Sequence, residues 1–216
     1  IRDYSPDKRR RTDDYPYGGG QGMIMQCEPL ARCMDDVTGG EHVHTILLSP
    51  AGTVFDQNKA RELLARERFI LVCGHYEGVD QRFIDAYVDE ELSLGDFVLT
   101  GGELAAMAVT DAVCRMVPGV LAEQASFEDE SHWSGTLEYP QYTRPEVWRD
   151  APVPAVLLSG HHGNIQAWRR LRSLLRTRER RPDLFHKLRL TPREQKLLRL
   201  WDEGQAELSA LPPDKL

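Results

Sequence analysis

Thirteen residues, Leu92-Ser93-Leu94-Gly95-Asp96-Phe97-Val98-Leu99-Thr100-Gly101-Gly102-Glu103-Leu104, constrain this chain more than any others, and they hold no lysine or arginine. Phe97-Val98-Leu99 is a short apolar run and predicts an interior strand. Gly101 and Gly102 permit a sharp turn and close backbone approach. From Glu103 a helical pattern runs to Val117 and stops at Pro118-Gly119. A strand that ends in glycines at a helix mouth is where parallel α/β sheets bind ligands. The Gly-x-Gly-x-x-Gly spacing and the Gly-Lys-Ser/Thr ending are both absent. The expected ligand is therefore not gripped by its phosphates, which disfavours a nucleotide hydrolase.

Two companions lie upstream. Thr45-Ile46-Leu47-Leu48 reads as a strand that breaks at the turn-forming cluster Ser49-Pro50-Ala51-Gly52. Phe69-Ile70-Leu71-Val72-Cys73 reads as another, broken at Gly74 and followed by His75-Tyr76-Glu77-Gly78-Val79-Asp80. Between them Asn58 to Arg68 has the charge pattern of a surface helix around Ala60, Leu63, Leu64 and Ala65. Helical crossovers between apolar strands imply one parallel sheet with its turns at one end. A single glycine at a strand end needs no ligand to explain it. Three such turns in register point to a site.

Net charge is −7, which argues against indiscriminate nucleic-acid binding, but its distribution is uneven. From Arg169 to Arg181 there are seven arginines against one glutamate, Glu179, on a segment with Trp168, Leu171, Leu174 and Leu175 at helical spacing. Lys8-Arg9-Arg10-Arg11 forms a second basic cluster, whereas residues 77–96 are strongly acidic. A solvated arginine face is one reading. The other is a local footprint for a folded RNA whose backbone is held while one base is presented. The four cysteines make no Cys-x-x-Cys pair, and two sit in apolar runs, which implies reduced thiols and a cytoplasmic location. No apolar run reaches membrane-spanning length, and no signal peptide is recognisable. His161-His162 lacks a second ligand pair at zinc spacing, so zinc is not expected; magnesium held by carboxylates and water is compatible with the sequence.

These features divide the chain into a sheet domain (1–121), a flexible acidic linker (122–137) and a helical domain (138–216). A helix is expected from Asn164, as N-cap, to Arg178. Thr191-Pro192-Arg193-Glu194 predicts a capping box with proline in the first turn, opening a last helix to about Leu208. The tail around Leu211-Pro212-Pro213-Asp214 is expected to fray.

Asp13-Asp14-Tyr15-Pro16-Tyr17-Gly18-Gly19-Gly20-Gln21-Gly22-Met23, Leu48-Ser49-Pro50, Leu71 to Asp80, the stretch 92–104 and Tyr142-Thr143-Arg144-Pro145 occur in a telling order and spacing. Over nearly its whole length the chain resembles the bacterial tRNA (guanine-N1)-methyltransferases of the SPOUT superfamily. The resemblance implies an α/β fold whose parallel sheet is tied in a deep trefoil knot around S-adenosylmethionine, followed by a small, mostly helical domain that binds tRNA. It implies a homodimer in which the linker and second domain of one protomer close over the cofactor of the other. Members carry a further strand and helix before this point, so the resemblance also implies a chain lacking that segment. The expected reaction is methyl transfer to N1 of the guanine 3′ of the anticodon. A SPOUT enzyme acting elsewhere on RNA would leave the Asp13–Met23 block and the Tyr-Thr-Arg-Pro match unexplained. A cofactor-binding but inactive RNA-binding module would keep both arginine patches.

By the same resemblance Leu48, Ser49, Pro50, Gly74, Leu94, Gly95, Asp96, Phe97, Val98, Leu99, Gly101 and Gly102 surround S-adenosylmethionine, largely through backbone groups. N1 of guanine carries a proton, so the reaction needs a carboxylate base at N1 and a cation near O6, where negative charge grows. The base is implied to come from the acidic linker: Glu130 by position or Asp129 by residue type. The O6 donor is implied to be Arg115, though an arginine there could instead pair with Asp111 one turn earlier. Glu77 and Asp80 either orient a ligand or cap a turn. Glu77, Tyr142, Arg144, Arg169, Arg170 and Arg172 are the expected tRNA contacts.

Overall fold

A computed structural model of the chain describes residues 1–121 and 130–204. The chain forms two compact units, Ile1–Ala122 and Glu123–Leu216. In the first, the antiparallel pair β1 (Asp13–Asp14) and β2 (Ile24–Met25) precedes α1 (Cys27–Thr38). Then follow β3 (Thr45–Val54), α2 (Gln57–Leu64), β4 (Ile70–Cys73), α3 (Gln81–Tyr87), β5 (Glu90–Ser93) and α4 (Glu103–Cys114). The architecture is mixed α/β: β3 is the centre of a parallel sheet in the order β4-β3-β5, with Leu48 opposite both Cys73 and Leu92.

Thr45 to Leu48 are buried, the continuous apolar run expected of a parallel strand covered on both faces. Helices follow because their starts are capped. The Asp56 carboxylate accepts from the Asn58 and Lys59 amides, both at 2.9 Å, and opens α2. Met25, Leu30, Met34, Leu47, Val72 and Phe83 form one core cluster of this unit.

Four elements of this first unit differ from the sequence reading. The third strand is not Phe97-Val98-Leu99 but Glu90–Ser93, and the apolar run is exposed loop, Val98 at 82%. Paired glutamates hid β5: Glu90 Oε1 lies 2.9 Å from His44 Nε2 and its Oε2 accepts from Lys59 Nζ at 2.9 Å, so a half-buried strand carries carboxylates. Second, β3 does not end at Ser49. It bulges over Ser49–Gly52 and resumes pairing at Thr53 opposite Leu92. Gly52 makes this possible, because a Cβ there would strike the Glu91 and Leu92 backbone. Third, α4 stops at Cys114, and the Met116 and Val117 amides turn back to Val113 and Cys114 ahead of Pro118. Fourth, α2 ends at Leu64 rather than Arg68.

The second unit holds the hairpin β6 (Val147–Trp148) and β7 (Ala151–Pro152), then α5 (Ala155–Leu158), α6 (His162–Arg180), α7 (Pro182–Phe185) and α8 (Pro192–Asp202). Its core joins Val156, Trp168, Leu171, Leu174, Leu197 and Leu198. α6 starts at His162 with His161 as N-cap, so Asn164 lies inside the first turn and does not cap it. Thr191 and Glu194 form the reciprocal capping box that their spacing predicts: the Glu194 carboxylate accepts from the Thr191 amide at 2.7 Å. α8 ends at Asp202, followed by Gly204 at φ +70°, earlier than the expected Leu208; residues 205–216, with the expected frayed tail, lie outside the described residues. Among the described residues no helix is long and apolar enough to cross a membrane.

Candidate functional site

The turns after the parallel strands share one cavity of about 420 Å³ in the first unit. It opens at the bulge within β3 and at the carboxyl ends of β4 and β5, the end of the sheet where parallel strands accept ligands. Leu48, Ser49, Pro50, Gly74, Leu94, Phe97, Val98, Leu99, Gly101 and Gly102 line it, as does Glu77; Gly95 and Asp96 do not. The bulge in β3 carries Ser49 and Pro50 to the rim. The exposed 97–99 loop is one wall.

The third turn is pinned onto the second. The Gly102 amide donates to the Gly74 carbonyl at 3.0 Å, and Gly101 bridges to His75. A Cβ at Gly102 would lie 2.7 Å from Cys73 Cα, so backbone meets backbone there. The nearest atoms to a Cβ at Gly101 would be in the side chains of Glu103 and His75, at 2.5 and 3.0 Å. His75 Nε2 and the Glu103 carboxylate form a hydrogen-bonded pair at the start of α4, and this bond from His75 holds the Glu103 carboxyl below the ordinary glutamate range. The Cys73 thiol beneath is pushed up by burial and then by Glu103, so it stays protonated.

The Asp13–Met23 block also reaches this region. The Glu77 amide donates to the Met23 carbonyl at 3.0 Å, and a side chain at Gly22 (φ +84°) would run into Glu77. Asp80 takes the capping role instead: it N-caps α3, accepts from Arg82 Nη2 at 2.7 Å, and that guanidinium holds its carboxyl well below the ordinary range.

Sequence reasoning missed His75, Glu91 and Ser93 as lining residues. Glu91 and Ser93 belong to the strand that adjacent glutamates concealed, and Glu90-Glu91-Leu92-Ser93 carries no apolar alternation that would have revealed it. Among the described residues no three His, Cys, Asp or Glu side chains converge as a metal site would require.

Of the catalytic candidates, only Arg115 belongs to the first unit, and it does not line the cavity. Arg115 is the half-buried C-cap of α4, and its amide donates to the Asp111 carbonyl at 3.0 Å. The twelve residues of α4 separate it from Gly102 by about 18 Å. Glu130 is half-buried in the second unit, where its carbonyl accepts from the Trp133 amide at 3.4 Å. Asp129 lies outside the described residues.

The expected tRNA contacts divide. Tyr142, Arg144 and Arg169 line a second cavity of about 550 Å³. Arg170 does not: its Nε donates to Glu194 at 2.6 Å and its Nη1 to Thr136 Oγ1 at 3.3 Å. Arg172 lies over the Trp168 and Trp201 rings at 6.0 and 5.5 Å. Further along, Arg178 grips Asp202 with two bonds and Arg181 pairs with Asp183, while Arg180 is exposed. The arginine run is therefore partly internal cross-linking. In the amino-terminal cluster Arg10 pairs with Asp3 and Arg11 with Asp7, which leaves Lys8 and Arg9 as exposed cations without ion pairs among the described residues.

Against known proteins, residues 1–187 match the family model described as tRNA (Guanine-1)-methyltransferase TrmD. A tRNA (guanine-N(1)-)-methyltransferase of Ruminiclostridium cellulolyticum is 55% identical over 190 residues, covering 87% of this chain and 82% of that relative. Its namesake in Clostridium acetobutylicum is 54% identical over 198 residues, 92% of this chain and 81% of its own length. In Clostridium kluyveri the figures are 46% over 207 residues, with 96% and 84% covered.

Proposed function

The chain belongs to the tRNA (guanine-1)-methyltransferase family and is thus a methyltransferase; from that premise we propose that it methylates N1 of the guanine 3′ of the tRNA anticodon, using S-adenosylmethionine. The observation that carries the reading is the convergence of three turns on one cavity, poor in charge and rich in backbone. Its size lies in the range of small-molecule sites, and apolar walls with a few amide groups suit an adenosine. Leu48, Ser49, Gly74, Leu94 and Leu99 would hold the cofactor, and the close contact of Gly102 with Cys73 keeps the floor closed to side chains. When bound, S-adenosylmethionine supplies an electrophilic methyl group on a positively charged sulfur.

The protein's part is proton and charge management. A linker carboxylate, Glu130 or Asp129, takes the N1 proton and leaves the electron pair on N1 available as the nucleophile. Arg115 meets the negative charge that grows on O6. Glu77, at the cavity rim, orients the base or the cofactor. Tyr142, Arg144, Arg169 and Arg172 contact tRNA, with Arg170 holding the unit's interior together. Magnesium, if used, would be held by carboxylates and water. The reading places the enzyme in the cytoplasm, where its tRNA substrate is.

Two features of the fold belong to the same proposal. β5 is at one edge of the sheet, yet Gly101 pairs with His75 beyond the other edge strand, so the 94–100 loop crosses the end of β3. This crossing supports a knotted chain. The separation of Arg115 from the turns supports a homodimer with a shared site, and α4 offers a face for it: Leu104 and Met107 are 62% and 67% exposed. Ala105 on the same helix is buried within the unit.

Tritiated S-adenosylmethionine and tRNA transcripts with guanosine or adenosine 3′ of the anticodon test the reaction. Label is expected in the guanosine transcript only; equal labelling of both sinks the assignment. For the shared site, Arg115→Ala protomers are mixed with Asp129→Ala/Glu130→Ala protomers after subunit exchange. Activity should reappear from two dead parents, and a stable monomer that methylates tRNA alone refutes the dimer.

A further inference from the structure

Residues 131–139 contain no helix or strand, yet α6 holds their backbone by side chains. Thr177 is fully buried, and Ser173 and Thr136 are nearly so. The Thr177 hydroxyl accepts from the Leu137 amide at 2.8 Å and donates to the Ser173 carbonyl at 2.7 Å. The Ser173 hydroxyl donates to the Leu137 carbonyl at 2.6 Å and, having one proton, accepts from Thr136 Oγ1 at 3.0 Å. Both polar groups of one peptide residue, Leu137, are thus satisfied by two hydroxyls one helical turn apart. Arg176 Nη1 adds a bond to the Glu138 carbonyl at 3.3 Å.

The segment is also closed on itself at its near end. Ser131 Oγ accepts from the Glu138 amide at 2.9 Å, and the His132 amide donates to the Thr136 carbonyl at 2.7 Å. Glu130 is the residue next to this closed loop. Serine and threonine are poor choices for a helix interior, because their hydroxyls compete for backbone bonds. Here they do compete, and the backbone they capture is the linker's. Residues 131–137 were expected to belong to the flexible linker, and these bonds tie them to α6.

We infer that Ser173 and Thr177 are positioning residues, which clamp Leu137 to the arginine helix and so fix where the linker carboxylate stands relative to RNA held by that helix. The inference rests on the proposed role of Glu130 or Asp129 as base. It needs no contact of either hydroxyl with substrate. A misplacement of the order of 1 Å at a reacting group can lower a rate by about a hundredfold, so a short anchor close to the base has leverage.

The test is single-turnover methylation of the guanosine transcript with tRNA and S-adenosylmethionine saturating, beside filter binding of tRNA and thermal melting. Thr177→Val keeps the shape and loses the bond to Leu137. It should lower the single-turnover rate by roughly tenfold or more, change tRNA affinity by less than about threefold, and leave the pH of the rate inflection in place while the plateau falls. Thr177→Ser, which restores the hydroxyl, should recover the rate. If Thr177→Val does not fold, Ser173→Ala is read by the same criteria. A folded Thr177→Val protein with the parent rate, or a loss that saturating tRNA abolishes, overturns the clamp. Asp129→Asn/Glu130→Gln separates the two levels: parent rate and parent pH profile in that variant overturn the base and the clamp together. A dead double variant beside a fully active Thr177→Val overturns the clamp alone.

Discussion

Gly102 and Thr177 do opposite work in the two units. Gly102 sits where any side chain would strike Cys73, and its value lies in having none. Thr177 is fully buried and uses its hydroxyl twice, once for its own helix and once for a neighbouring segment. The first unit makes a cavity by letting backbones approach, so its site is written in glycines and apolar residues. The second unit builds a polar lattice in which hydroxyls and guanidinium groups are consumed by internal bonds. Residue type alone reads a site of the first kind well, and overcounts free charges in the second.

All four tryptophans lie in the second unit, so their fluorescence reports that unit's melting. This separates the consequences of changing either side. The largest effect is expected for Gly102→Val, which forces apart Gly102 and Cys73 and destabilises the first unit by about 3 kcal/mol. Calorimetric binding of S-adenosylmethionine should be lost, while the tryptophan-monitored melt stays at the parent value. Gly101→Val meets the ends of His75 and Glu103, which can rotate away, so its stability loss should be the smaller of the two. Equal losses would show that the two turns do not differ in backbone proximity.

In the second unit, Arg170→Ala strands the largely buried Glu194 and breaks a bond to Thr136. A loss of about 1–2 kcal/mol in the tryptophan-monitored denaturation is expected, because Arg170 is itself partly solvated. An unchanged midpoint would return Arg170 to the RNA-facing set. Arg172→Ala should behave otherwise. It has no ion pair among the described residues, so its removal should reduce the slope of log tRNA affinity against log salt by somewhat less than one unit. Arg170→Ala should leave that slope alone.

The smallest effect is on acid stability. Burial raises the carboxyls of Glu90 and Glu194, but for Glu90 the bonds from His44 and Lys59 outweigh it, and for Glu194 those from Thr191 and Arg170 do. Both therefore titrate below the ordinary glutamate value. A carboxylate held low in the folded state contributes stability that is complete above its unfolded pKa, about 4.3, and is lost as pH falls through the folded value. Denaturation midpoints should be flat near neutrality and fall below about pH 4.5. Glu194→Gln should lessen that fall in tryptophan fluorescence; Glu90→Gln should not. If both act alike on the tryptophan signal, the two units do not melt separately.

Where the chain bends and approaches itself was legible from residues 45–104, because glycine and proline act through local sterics that need no partner. Ser49-Pro50, Gly74 and Gly101-Gly102 were placed at one end of a parallel sheet on that ground, and they line one cavity. The Thr191 capping box was legible for the same reason, since its partners are three residues apart. The interior strand was misplaced onto Phe97–Leu99 because an apolar run can line a cavity as well as fill a core. Local pattern does not tell which. β5 was invisible because Glu90 finds His44 and Lys59 from distant segments.

The amino-acid sequence by itself thus determined the family and the order of the turns, but it misplaced Gly95 and Asp96 and missed His75, Glu91 and Ser93 at the cavity. Only the tertiary structure decided which charges are free. Arg170 is paired because α8 brings Glu194 against α6, and residues 131–138 are anchored because Ser173 and Thr177 meet Leu137 some forty residues along the chain. Bonds of this kind depend on which distant segments become neighbours when a buried polar group must find a partner. Spacing along the chain carries no record of that choice.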